Sequence, residues 1–190
     1  FKNKIIIEEL LKNFSDKTIL FATFTTKTIT VKSIDEVKEQ REKLTKAYSK
    51  LIRKLKNVTG YIKKTEVVYN EETNKLNIHI HAILLVKNYA NSYITQKKWL
   101  ENWQEATGDN TIKQVKIILI NKKEEKSLKK LSSYVAKADI ERMKISDEIS
   151  NLFEIAEEKK RDLTFGGEFK EAKKIIELEM KKNRKQYAKS

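Results

Sequence analysis

The stretch TGYIKKTEVVYNEETNKLNIHIHAILLV, residues 59–86, decides how this chain folds. It holds two runs rich in β-branched and aromatic residues, Thr59 to Tyr69 and Leu76 to Val86. The polar segment Asn70-Glu71-Glu72-Thr73-Asn74 separates them, which is the pattern of a β-hairpin. In the second run, side chains alternate between the two faces of a strand. His79 and His81 therefore share one face, and Ile78, Ile80 and Ala82 share the other. If Asn70 faces Lys75 across the turn, Glu66 lies directly opposite His79, and a slip of two residues still leaves it on the histidine face.

Working outward, Thr18 to Thr25 reads as a buried strand. Ser33, with Glu36 three residues later, has the form of a capping box that opens a helix running to about Lys56. Val37, Leu44, Ala47, Tyr48, Leu51 and Leu55 give that helix an apolar stripe. Downstream, a helix is expected from about Thr95 to Ala106, ending near Gly108, and a strand at Val115 to Ile120. Another helix is expected from Glu124 to Ala138, burying Leu128, Leu131 and Val135. The remainder reads as charged and helical, with Gly166 and Gly167 marking a turn between helices. This order predicts an α+β fold with an antiparallel sheet, not a doubly wound parallel one. We expect a domain over residues 1–139 and a helical extension, packed on or beside it, over 140–190.

Composition narrows the partner. The 190 residues carry a net charge of +14 with a pI near 9.6; 36% are charged and 39% hydrophobic. Such an excess of Lys and Arg favours a polyanion, because each cation set against a phosphate releases condensed counterions. With no cysteine, disulfides, thiolate metal sites and cysteine nucleophiles are excluded. No apolar run is long enough to span a bilayer, so no membrane partner and a cytoplasmic location are expected. A chain that starts at Phe1 leads us to expect further residues in the full protein.

The only two histidines are His79 and His81. Two neutral imidazoles side by side can hold a divalent ion if a third ligand converges on them, and Glu66 is the candidate. The mixed nitrogen and oxygen set suits Mg²⁺ or Mn²⁺ acting as a Lewis acid on phosphate, and would also take zinc. The alternative is a polar sheet face with an ordinary cross-strand carboxylate. In the helix around residue 130, Tyr134 stands beside the apolar stripe with Lys137 one turn later and Lys130 one turn earlier. A phenol with a pKa near 10 needs such an ammonium, or a metal, to become a nucleophile. Taken alone, a helical Tyr beside a Lys more often just caps the edge of a core. Trp99 and Trp103, at helical spacing, are read as core residues ahead of base-stacking platforms. The Lys-rich face of the helix from Lys38 to Lys56 reads either as a phosphate track or as a solvated surface.

Together these motifs resemble the plasmid rolling-circle replication initiators of the HUH (His-hydrophobic-His) endonuclease superfamily. Phe21-Ala22-Thr23-Phe24-Thr25-Thr26-Lys27 is similar to the family's first strand motif, although Thr28 stands where Asn is usual. His79-Ile80-His81 is similar to its metal motif, and Tyr134-Val135-Ala136-Lys137 to its catalytic Tyr-x-x-Lys. The likeness runs from about Ile19 to Lys174. It implies a five-stranded antiparallel sheet with the histidines on a central strand and the tyrosine on a helix. It also implies metal binding by His79, His81 and Glu66, and attack by Tyr134 on an origin strand supplied as single-stranded DNA or a hairpin. The products would be a 5′-phosphotyrosine and a free 3′-OH, with Lys137 assisting and Thr25, Lys27, Lys64 and Lys130 touching DNA. Host helicase and polymerase would act afterwards. Many relatives carry Glu at the position of Lys130, so the terminating step is the point of departure. The rival expectations are a relaxase or transposase of the same superfamily, and a non-catalytic nucleic-acid-binding module.

Overall fold

The computed structural model describes residues 2–14, 16–30, 32–70, 72–120, 128, 129, 131, 132, 135 and 163–187. Strands β1 (Thr18–Thr25), β2 (Ile29–Thr30), β3 (Val58–Asn70), β4 (Lys75–Val86), β5 (Lys116–Leu119) and β6 (Leu163–Gly167) form one sheet. Helices α1 (Lys2–Asn13), α2 (Ile34–Lys54), α3 (Gln96–Thr107) and α4 (Glu168–Tyr187) pack on it. The sheet runs β5-β1-β4-β3-β6, with the two-residue β2 pairing β4. Each of these pairings is antiparallel. The fold is α+β, with the histidine strand β4 at the centre.

The hairpin register is the one its turn residues require: Asn70 pairs Lys75 and Glu66 pairs His79. Ser33 caps α2 by accepting from the Glu36 N–H. The Glu36 carboxylate reaches back to the Lys32 N–H at 3.0 Å, one residue earlier than an ideal capping box. Thr95 caps α3, which ends at Gly108 in the left-handed region, φ 70°.

Two cores flank the sheet. On one face Leu20, Ala22 and Phe24 of β1 and the even-numbered positions of β4 from Leu76 to Val86 pack under α2 and α3. Trp99 and Trp103 are buried here as core residues, and the Trp103 indole donates to the Thr25 carbonyl at 2.8 Å. On the other face Ile19, Ile62, Ile83 and Leu85 pack against α1, against Phe169 and Ile176 of α4, and against Leu131 and Val135. Leu128, Lys129, Leu131, Ser132 and Val135 are all helical, as expected, and the Ser132 hydroxyl donates to Glu8 of α1 at 3.1 Å.

Three elements differ from the sequence reading. Helix α1 was not anticipated, although Ile6, Ile7, Leu10 and Leu11 have helical spacing and are fully buried. The minor strand β2 was also missed. Gly166 and Gly167 do not join two helices; they end strand β6, which leads directly into α4. A Cβ on Gly166 would collide with the Tyr61 ring, and Gly167, at φ 56°, would strike the Thr59 carbonyl. The expected boundary near residue 139 lies outside the described residues.

Candidate active site

Cross-strand pairing arranges the face beneath α1 and α4 in rows, because directly opposed residues point to the same side. Phe21, Ile83, Ile62 and Phe165 form an apolar row across β1, β4, β3 and β6. The next row, two residues along each strand, is Lys116, Thr23, His81, Lys64 and Leu163. The one after that is Thr25, His79 and Glu66. The face therefore changes from core to polar within one step of the pleat.

In the polar rows the side chains interlock. His81, 6% exposed, is held from both ring nitrogens. Its Nδ1 lies 3.2 Å from the Thr23 hydroxyl and its Nε2 lies 2.8 Å from Glu66 Oε2. Phe21 lies parallel to the His81 ring at 6.0 Å, and the His79 ring lies 6.1 Å away, tilted by 28°. A carboxylate can only accept, so a neutral His81 facing Glu66 must carry its proton on Nε2, with Thr23 donating to Nδ1. If the proton sits on Nδ1 instead, both facing atoms present lone pairs, and only a cation between them relieves the contact.

The electrostatics agree with this arrangement. The Glu66 carboxyl is held below its ordinary range, chiefly by the bond to His81, with the charges of His81, Lys64 and His79 adding to it against partial burial. Burial pushes the His79 pKa down, and proximity to His81 lowers it further while Glu66 opposes. His79 is thus neutral at physiological pH and keeps a lone pair, as a metal ligand must. Its Nδ1 is buried and has no hydrogen-bond partner among the described residues.

Two imidazoles and an ionised carboxylate are a donor set that fits a divalent ion. As placed, they are not a finished three-ligand cluster. Glu66 is drawn onto His81, and side-chain rotation is needed before all three can share one ion.

Of the residues singled out from sequence, Glu66, His79, His81, Thr25 and Lys64 come together on this face. Lys27 lies exposed in the loop after β1. Tyr134, Lys137 and Lys130 lie outside the described residues. Their sequence neighbours Leu131 and Val135 are buried against the histidine side of the sheet. Sequence reasoning missed Thr23 as the partner of His81. Its strand was legible, but the register of β1 on β4 joins segments nearly sixty residues apart and has no local signature.

Known proteins point the same way. The model of a family described as "Replication protein" matches residues 2–190. "Protein rep" of Lactiplantibacillus plantarum is 32% identical over 194 residues, covering 93% of this chain and 60% of that protein. "Protein rep" of Staphylococcus aureus is 29% identical over 139 residues (70% and 59%), and that of Streptococcus pneumoniae serotype 2 is 27% identical over 190 (94% and 58%). No solved structure matches. The chain belongs to the plasmid replication initiator (Rep) family. It spans about 60% of the length of these three relatives. Among the described residues no helix is long and apolar enough to cross a membrane.

Proposed function

We propose that this chain is the nicking domain of a rolling-circle initiator, cleaving one strand at a plasmid origin through a tyrosine nucleophile. The observation that carries the reading is the shared face. His79, His81 and Glu66 stand on the side of the sheet against which Leu131 and Val135, on either side of Tyr134 in sequence, are packed. His79, His81 and Glu66 would hold Mn²⁺ or Mg²⁺, which when bound supplies Lewis acidity to a phosphate oxygen. Tyr134 Oη forms the new bond to phosphorus while the bond to the 3′ oxygen breaks. The phenol proton passes to water and the leaving oxygen regains one, giving a 5′-phosphotyrosine and a free 3′-OH. Lys137 balances the charge developing on the phenol oxygen. Thr23 fixes the His81 ring so that Nε2 faces the carboxylate. Lys64, in the row of His81, sets a positive charge beside the phosphate path, and Thr25 offers a hydroxyl there.

The test is incubation of the chain with labelled single-stranded origin DNA and Mn²⁺, followed by a denaturing gel. A covalent adduct that disappears with Tyr134→Phe and with EDTA is expected. Cleavage without an adduct would make the chain a hydrolytic nuclease, and retention without cleavage a binding module. Relaxation of a supercoiled plasmid bearing the element's own origin separates an initiator from a relaxase or transposase.

A further inference from the structure

A second feature of the same face lies at the sheet's β6 edge. There a cleft of about 550 Å³ opens between β6, α4 and the start of α1, with Asn3, Phe165, Lys170, Lys173 and Lys174 among its walls. We propose that this cleft holds the phosphodiester backbone of single-stranded DNA flanking the nick. The inference rests on the nicking role assigned above and extends it to a strand path.

Position supports the path. Leu163, in the cleft wall, pairs Lys64, and Lys64 pairs His81, so one transverse row leads from the histidine strand through a lysine into the cleft. Strands lie about 4.8 Å apart, so β6 is roughly 10 Å from β4, a distance that a strand leaving the site crosses within a few nucleotides.

Charge supports the ligand. Lys170 is exposed and makes no ion pair with any described carboxylate. Among the described residues Lys174 pairs only with the exposed Glu171, at 3.0 Å, a contact that a phosphate readily replaces. Lys173 is fixed more firmly, 3.4 Å from Glu177 and 5.0 Å from the centre of the Phe165 ring. It sets a steady positive charge on the wall, and Lys170 and Lys174 are free to follow the strand.

The experiment measures binding of fluorescent single-stranded DNA by anisotropy in EDTA, across a salt series, for the chain and its Lys170→Gln/Lys174→Gln variant. For single strands each lost phosphate contact lowers the slope of log K against log salt by about 0.7, so a fall of about 1.4 is expected. At 0.1 M salt that corresponds to roughly 25-fold weaker binding. A control variant, Lys38→Gln/Lys43→Gln on α2 across the sheet, should lose less than half as much. An unchanged slope overturns the proposal, as does an equal loss in the control. No single-strand binding by the parent chain also overturns it. Because no cleavage is involved, a lowered slope stands even if Tyr134 forms no adduct, and an adduct with unchanged slopes refutes the cleft alone.

Discussion

The two faces of the sheet received the same backbone and different cover. On the α2 and α3 side, β4 offers Leu76, Ile78, Ile80, Ala82, Leu84 and Val86, and the core runs the full length of the strand. On the other side it offers Asn77, His79, His81, Ile83 and Leu85, and the core stops at Ile83. Neighbouring residues therefore have opposite fates. Ile80 is buried in the apolar core, and His79 and His81 stand in rows with Thr23, Thr25, Lys64 and Glu66. The α2 and α3 side is core along the whole of β4, and the other side divides into a core half and a polar half.

Substitutions on the two faces should separate accordingly. The largest effect is expected from Trp103→Ala, which removes a fully buried indole and its bond to Thr25. Denaturant unfolding should show a loss of about 3–5 kcal/mol. His81→Ala should lower the rate of DNA nicking by about 10²-fold or more while changing the unfolding midpoint far less than Trp103→Ala does. If the two variants lose stability equally, the contrast between faces is wrong. Thr23→Val keeps the shape and removes the hydroxyl that orients His81. Mn²⁺ affinity should weaken about 10–100-fold, with folding close to unchanged.

The smallest effect concerns pH. Because the folded pKa of His79 is depressed below 6.5, the unfolded chain binds more protons between that value and the folded one. The contribution of His79 is complete above pH 6.5 and is lost as pH falls through the folded pKa. Glu66, also depressed, contributes fully above 4.5 and loses its share below. Unfolding measured from pH 7.5 to 5 should show a slope that His79→Phe reduces; an identical slope in the variant would contradict the assignment.

Much of this contrast was legible in residues 59–86. Alternation fixed the faces of β4, and the polar turn fixed the register that sets Glu66 opposite His79. What was not legible has physical causes. Glu66 bonds to His81 across a diagonal, a choice made by side-chain rotamers and not by register. Thr23 reached His81 through a pairing between distant segments. Strand β6 is five residues long and ends in two glycines, so it lacks the apolar alternation that marks a strand. Its identity comes from the close approach of Tyr61 and Thr59, which only glycine tolerates.

The most direct test of the central claim is a Mn²⁺ titration followed by electron paramagnetic resonance. One tightly held ion per chain is expected, released by His79→Ala, by His81→Ala and by Glu66→Gln separately, while Ile118→Ala on the outer strand leaves it in place. Binding of Mn²⁺ that persists undiminished in all three site variants would contradict it.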